Sequence, residues 1–281
     1  MANPLAKFKD KIPTNVVPRA KRLVFGLAHD FWKDGKAAVV DAPPPVSEQR
    51  MKRSLSALRE ESQKIIAEAV PASPPPPWHA EPGMISEKMW GEGFVSPADA
   101  EVSEMLIKPL NLTNAMDVLD ISAGLGGRMR MISEKYGVAI TGLEPDPEVA
   151  GRGMELSIKA GKGKYDAIAT YDPANFSLAK KYDCILAREN FYRVEDKNTF
   201  FAALAGCTKP QAQISFTDYV INPEDRDKSA IKAWQASEAG ATPLSMVEMA
   251  EAWAKVGFTL SVHEDQTDLY KKEVTAGLKR L

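Results

Sequence analysis

An apolar segment, Met116 to Ile121, runs directly into Ser122, Ala123, Gly124, Leu125, Gly126 and Gly127, and a helix-compatible stretch follows to Tyr136. A short, continuously apolar strand that turns through glycines into a helix is the opening of a β-α unit, buried on both faces. The pattern then repeats. Strands are predicted over 138–143, 165–170, 182–187, 212–221 and 258–262. Helices are predicted over 147–160, 197–206, 245–256 and 267–281, with Pro147 suited to a first helical turn. Serial β-α units imply an α/β fold: a Rossmann-like, doubly wound, mostly parallel sheet covered by helices. Ligands of such sheets sit at the carboxyl ends of the strands, where the strand order reverses. The exit of the first predicted strand is therefore the place to look for chemistry.

The residues at that exit narrow the ligand. A dinucleotide fingerprint starting at Gly124 needs a glycine at position 129, which is Met129, and no Gly-Lys-Ser/Thr phosphate loop is present. Asp120 precedes the turn. Its carboxylate would repel a pyrophosphate and attract an ammonium or a sulfonium. The second predicted strand ends at Glu144, and a carboxylate at that strand end can accept hydrogen bonds from both hydroxyls of a ribose. Acid, glycine turn and second acid together suit an adenosine nucleoside with a cationic amino-acid tail, which is S-adenosylmethionine.

These residues resemble the class I S-adenosylmethionine-dependent methyltransferases over about residues 84–270, nearest to the phosphoethanolamine and sterol methyltransferase-like group. Gly91 to Ser96 resembles the segment that caps the cofactor, Tyr182 to Glu189 the fourth-strand motif, and Ile214 to Tyr219 the fifth-strand motif. The resemblance implies that Asp120, Gly124 and Gly126 hold the methionine moiety, Glu144 the ribose and Asp172 the adenine amino group. Arg188 would contact the far end of the cofactor and Ser96 would close over it. Ser122 stands where the family loop has its first glycine, and a side chain there needs a negative φ or crowds the ligand.

Other positions depart from the phosphobase enzymes. Their paired tyrosine and histidine fall at about Trp78 and Arg193, and their phosphate-binding arginine and tyrosine near Gly240 and Thr242. An arginine cannot act as a base at neutral pH, so a phosphobase acceptor is not expected. Arg193 itself reads equally as a clamp for an anionic substrate or as an ion pair with Glu195 or Asp196. Glu189, Asp218 and Tyr219 sit at the expected strand ends and are the catalytic candidates. The family's usual seventh strand has no evident sequence, which would leave an open sheet edge for a partner or a second copy to cover.

Charge and proline divide the chain. Residues 1–80 hold 13 Lys/Arg against 8 Asp/Glu, while the remainder is acidic, within a net charge of −2. Twelve of the 20 prolines precede residue 83, including Pro43 to Pro45 and Pro74 to Pro77, which act as stiff extended spacers. We read 1–80 as a basic, Pro-rich, helical extension and 84–281 as the methyltransferase domain. Helices are expected over 18–40 and 47–70. In the second, Met51, Leu55, Leu58, Ser62, Ile65 and Ala69 form a short heptad seam. The extension would dock on a protein partner, a second copy or the surface of a membrane.

No apolar run is long enough to span a bilayer and no secretory leader is readable, so a cytoplasmic protein is expected, with peripheral contact at the inner face of a membrane. Cys184 and Cys207 form no CxxC pair and the three histidines are far apart, so no metal is expected. The acidic domain has no basic stripe for nucleic acid. Two functions stay open: a methyltransferase for a small or lipid-like acceptor, and a methyltransferase-fold subunit serving as a scaffold in a larger complex.

Overall fold

The computed structural model describes residues 21–24 and 84–281, apart from 98 and 239. Seven strands form one sheet: β1 (Lys21–Val24), β2 (Asp117–Asp120), β3 (Ala139–Glu144), β4 (Ile168–Thr170), β5 (Tyr182–Arg188), β6 (Thr208–Thr217) and β7 (Phe258–Val262). The order is β4-β3-β2-β5-β6-β1-β7 and every pairing is parallel. The chain steps outward from β2 to β4, then returns to the other side of β2 for β5 and β6. The strand order reverses between β2 and β5, and that junction is where an open α/β sheet offers a ligand crevice.

Eight α-helices are described: α1 (Met84–Trp90), α2 (Asp99–Ile107), α3 (Gly127–Tyr136), α4 (Pro147–Lys159), α5 (Lys197–Gly206), α6 (Ser229–Ser237), α7 (Met246–Lys255) and α8 (Thr267–Leu278). Alternate residues of the central strands feed two cores. Leu119, Leu143, Ile185 and Ile214 face one side, where Phe200, Phe201 and Leu204 of α5 and Met249 and Trp253 of α7 cover them. Val118, Ile140, Cys184 and Leu186 face the other, under Ile107 of α2 and Met129 and Ile132 of α3. Helices thus cover both faces, and the central strands are buried almost throughout.

Helix starts follow local chemistry. Asp146 accepts from the backbone N–H of Glu148 and Val149 ahead of Pro147, and Ser245 and Glu248 form a reciprocal capping box on α7. Strand β6 starts four residues before the expected position. Pro210, which cannot donate to the ladder, and Gln211, at φ 66°, put an irregularity between its first residues and the regular run from Ala212. It ends at Thr217, so Asp218 and Tyr219 leave the sheet as loop residues. Helices α1 and α2 were not expected.

The side of the sheet beyond β6 corrects one expectation. After β7 the described chain is helical, and the seventh strand of this sheet is a different one from the family's usual seventh. It comes from the N-terminal segment and runs parallel, with Leu23 paired to Ile214 of β6 and to Leu260 of β7. The helix expected over 18–40 is therefore interrupted by strand at 21–24. Helical propensity yields here to the backbone donors and acceptors that β6 and β7 present across the gap. The helix expected over 47–70, its heptad seam, both proline runs and Trp78 lie outside the described residues.

Candidate active site at the strand-order reversal

The glycine turn follows β2. Gly124 and Gly126 take left-handed φ values of 52° and 76°, and Gly126 caps α3. Any other residue type there would be strained. The turn is roofed by the segment after α1. The Gly127 N–H donates to the Gly93 carbonyl at 2.8 Å, and the Val95 side chain stands over Gly124. A third contact comes from below, where α4 approaches so closely that a Cβ on Gly153 would lie 2.7 Å from the Gly124 carbonyl.

Glu144, at the tip of β3, is tied to this turn. Its Oε2 accepts from the Gly124 N–H at 2.9 Å and its Oε1 from the Asp146 N–H at 3.2 Å. Burial pushes its carboxyl up to about 7, against those two backbone donors, which pull it down. Each carboxylate oxygen can accept a second donor, so ribose hydroxyls can join without displacing the backbone.

Asp120 is fully buried and already partnered. Arg128, in the first turn of α3, donates from Nε to Oδ2 at 2.9 Å and from Nη2 to Oδ1 at 2.7 Å. The same Nη2 donates to the Ser122 carbonyl at 2.8 Å. Ser122 does not crowd the turn. Its φ is not positive, and its Oγ accepts from the Arg188 N–H at 2.6 Å, extending the β2–β5 ladder by one bond. Below the turn, the Ile121 carbonyl accepts from Tyr171 Oη and Asn190 Nδ2, each at 3.0 Å.

A second cluster stands at the tips of β5 and β6. Glu189 takes a left-handed φ of 44° and receives donors from four directions. Ser96 Oγ reaches it at 2.7 Å, Arg188 Nη2 at 3.0 Å and Thr217 Oγ1 at 3.3 Å, and Tyr270 Oη of α8 completes the set. The buried Arg188 also donates to the Pro97 carbonyl and to Tyr270 Oη. The structure thus joins Ser96, Arg188 and Glu189, the capping and fourth-strand candidates, through a helix that the sequence did not link to them.

Asp218 follows. One oxygen accepts from the Tyr219 N–H at 2.9 Å, while Oδ2 is buried without a hydrogen-bond partner among the described residues. Burial first, and the nearby Glu189 charge second, raise its carboxyl well above the ordinary range. The next residue, Tyr219, packs its ring against Tyr192, Trp234 and Tyr270, and Tyr192 stacks on Trp234, with ring centroids 5.0 to 6.4 Å apart. Trp234 is half-buried in this wall. The nearby Lys197 is buried, donates to the Val194 carbonyl and Thr242 Oγ1, and is lowered by burial to about 8.

Two candidates lie elsewhere. Asp172 is exposed, and both its oxygens cap the 3-10 turn Pro173–Asn175 by accepting from the Ala174 N–H and Asn175 Nδ2. It borders a hollow of about 570 Å³ that Arg193 and Phe200 also line. Arg193 pairs with Glu238 at 2.9 Å and lies over the Tyr192 ring, so neither Glu195 nor Asp196 is its partner. The sequence reading missed Arg128, Tyr171, Asn190 and Tyr270. Only Arg128 carries a local signal: it is a cation in the first turn of a helix, where the dipole disfavours one, directly behind a glycine turn.

A glycine turn at the order reversal, faced by a strand-end acid, defines an α/β domain built for a nucleoside-bearing ligand. A family model described as a methyltransferase domain matches residues 89–263, and the chain belongs to that family. Phosphoethanolamine N-methyltransferase 1 of Arabidopsis thaliana is 24% identical over 199 residues, covering 69% of this chain and 39% of that protein. The Plasmodium falciparum phosphoethanolamine N-methyltransferase is 25% identical over 192 residues, covering 67% and 70% respectively. Phosphoethanolamine N-methyltransferase 2 of Haemonchus contortus, solved with phosphomonomethylethanolamine and S-adenosylhomocysteine, superposes with a TM-score of 0.64 at 18% identity, covering 70% of this chain and 46% of that one. The chain spans about two-fifths of the length of the plant relative. Among the described residues no helix is long and apolar enough to cross a membrane.

Proposed function

We propose that this chain is an S-adenosylmethionine-dependent methyltransferase acting on a small or lipid-like acceptor. The observation that carries the reading is the bond between the Gly124 N–H and Glu144, which makes the glycine turn and the strand-end acid one wall beside the order reversal. The residues fit the cofactor. Glu144 keeps acceptor capacity for the ribose, and the 91–96 segment roofs the turn. When bound, S-adenosylmethionine supplies an electrophilic methyl group, and much of such catalysis is positioning.

The acceptor end is assigned to Asp218, Tyr219 and the aromatic wall. Asp218 Oδ2 is the polar atom in need of a partner, so it takes the proton that the acceptor nitrogen or oxygen gives up. The rings suit an apolar body or a cationic amine. Glu189, with four donors around it, positions the β5 tip and holds Ser96 closed. The relatives named above are phosphoethanolamine enzymes. In this chain Arg193 is engaged by Glu238 and Tyr192, and the buried Lys197 by the Val194 carbonyl and Thr242, so the acceptor is assigned to a class without a phosphate. The scaffold alternative draws no support from the comparisons.

Calorimetry with S-adenosylhomocysteine tests the reading. Glu144→Ala removes the acceptor for the ribose hydroxyls, and two charge-assisted hydrogen bonds at about 1.5 kcal/mol or more each predict a loss of affinity of roughly a hundredfold or greater. Unchanged affinity would refute the assignment. A scan of radiolabelled methyl transfer to amines and phenols then identifies the acceptor class.

A further inference from the structure

A nucleoside whose ribose reaches Glu144 must lay its tail over the turn toward the tip of β2. The oxygens that converge there are the Asp120 carboxylate and the Ser122 carbonyl, and both accept from one nitrogen, Arg128 Nη2, at 2.7 and 2.8 Å. Arg128 Nε completes a bidentate pair with Asp120, and both side chains are buried, at 4% and 0% exposure. One cationic nitrogen of the chain therefore makes the bonds that an α-ammonium group would make. The placement runs against the positive end of the α3 dipole, a cost that the Asp120 carboxylate offsets.

We infer that Arg128 is a specificity-determining residue that fills the ammonium seat of the nucleoside pocket. The inference rests on the cofactor reading above and goes beyond it. With Arg128 in place, the amino-acid tail gains nothing from Asp120 or Ser122, and recognition falls to the nucleoside half. Arg128 also keeps the buried Asp120 paired, so the seat stays charge-balanced without ligand.

The test compares two nucleoside thioethers on the full chain by calorimetry: S-adenosylhomocysteine, and 5′-methylthioadenosine, which lacks the amino-acid tail. Wild-type protein is expected to bind them within about threefold of each other, since the tail's charged contacts are already taken. Arg128→Ala should tighten S-adenosylhomocysteine by about tenfold or more while leaving methylthioadenosine within about twofold. Because that variant strips Asp120 of its cation, Arg128→Gln is measured beside it. Glutamine keeps a neutral donor for the carboxylate and should shift the ratio in the same direction. If wild type already prefers S-adenosylhomocysteine by more than about tenfold and neither variant changes the ratio, Arg128 has no such role. If neither nucleoside binds any of the three proteins, the pocket reading fails and this inference with it. The first failure leaves binding intact and the second abolishes it, so the two are told apart.

Discussion

Glu144 is the residue on which pH should act most visibly. Its carboxyl sits at about 7 in the folded protein against an ordinary value of 4.5, and burial is the main cause. The folded state therefore holds a proton that the unfolded chain has released. The carboxyl's contribution to stability is complete below about 4.5 and is lost as pH rises through about 7. Ribose binding needs the ionised form, so affinity should change in the opposite sense. Thermal melts of the free protein between pH 5 and 8 should show the decline, reduced in Glu144→Gln, while S-adenosylhomocysteine affinity rises over the same range. Asp218 gives a second titration. If it accepts the proton of the acceptor, methyl transfer should fall on acidification with a limb above the ordinary carboxylate range. Asp218→Asn should lower turnover by about a hundredfold or more and flatten that limb, with cofactor affinity nearly unchanged. A limb that persists in the variant would assign the titration to another group.

At the scale of elements, the roof over the glycine turn depends on α8. A Cβ on Gly277 would lie 2.3 Å from the Trp90 ring of α1, so the two helices meet with no room for a side chain. Helix α1 leads directly into the 91–96 segment, and Tyr270 of α8 bonds Glu189 and Arg188. Gly277→Val should unseat Trp90, raise hydrogen exchange across 91–97 and weaken nucleoside binding, with the β2–β3 amides unaffected. The opposite core depends on α7. Trp253 is fully buried and stacks on Phe201 with centroids 4.1 Å apart, and Phe191, Phe216 and Phe258 surround it. Trp253→Ala should cost about 3–5 kcal/mol. Trp253→Phe should cost less than about 1.5 kcal/mol, because the indole N–H is buried without an acceptor among the described residues and its removal leaves no polar group stranded. Chemical denaturation of the two variants separates these outcomes.

For the molecule as a whole, the placement of β1 changes what the N-terminal extension does. Lys21–Val24 lies between β6 and β7, so the extension supplies an interior strand to the sheet. Leu23→Pro removes a ladder donor there and should cost about 1–3 kcal/mol, lowering the melting temperature by roughly 2–10 °C. Removing residues 1–24 should cost more, since β6 and β7 then lose their common neighbour. A truncated chain that melts with the full-length protein would detach β1 from the sheet. The docking role proposed for the rest of 1–80 is read separately, by sedimentation of the full chain beside a form lacking 40–80.

Local order was written in the sequence. The apolar run before Ser122, the glycines after it, Pro147 behind Asp146 and the Ser245–Glu248 box each act within a few residues, and the β-α order and the strand-end position of Glu144 follow from them. Contacts between distant segments carry no such local trace. Arg128 reaching back to Asp120 and Tyr270 closing on Glu189 were decided by tertiary structure, as was the seating of Lys21–Val24 between β6 and β7. In each case a buried polar group had to be satisfied, and which partner stood within reach depended on how the finished sheet brought distant residues together.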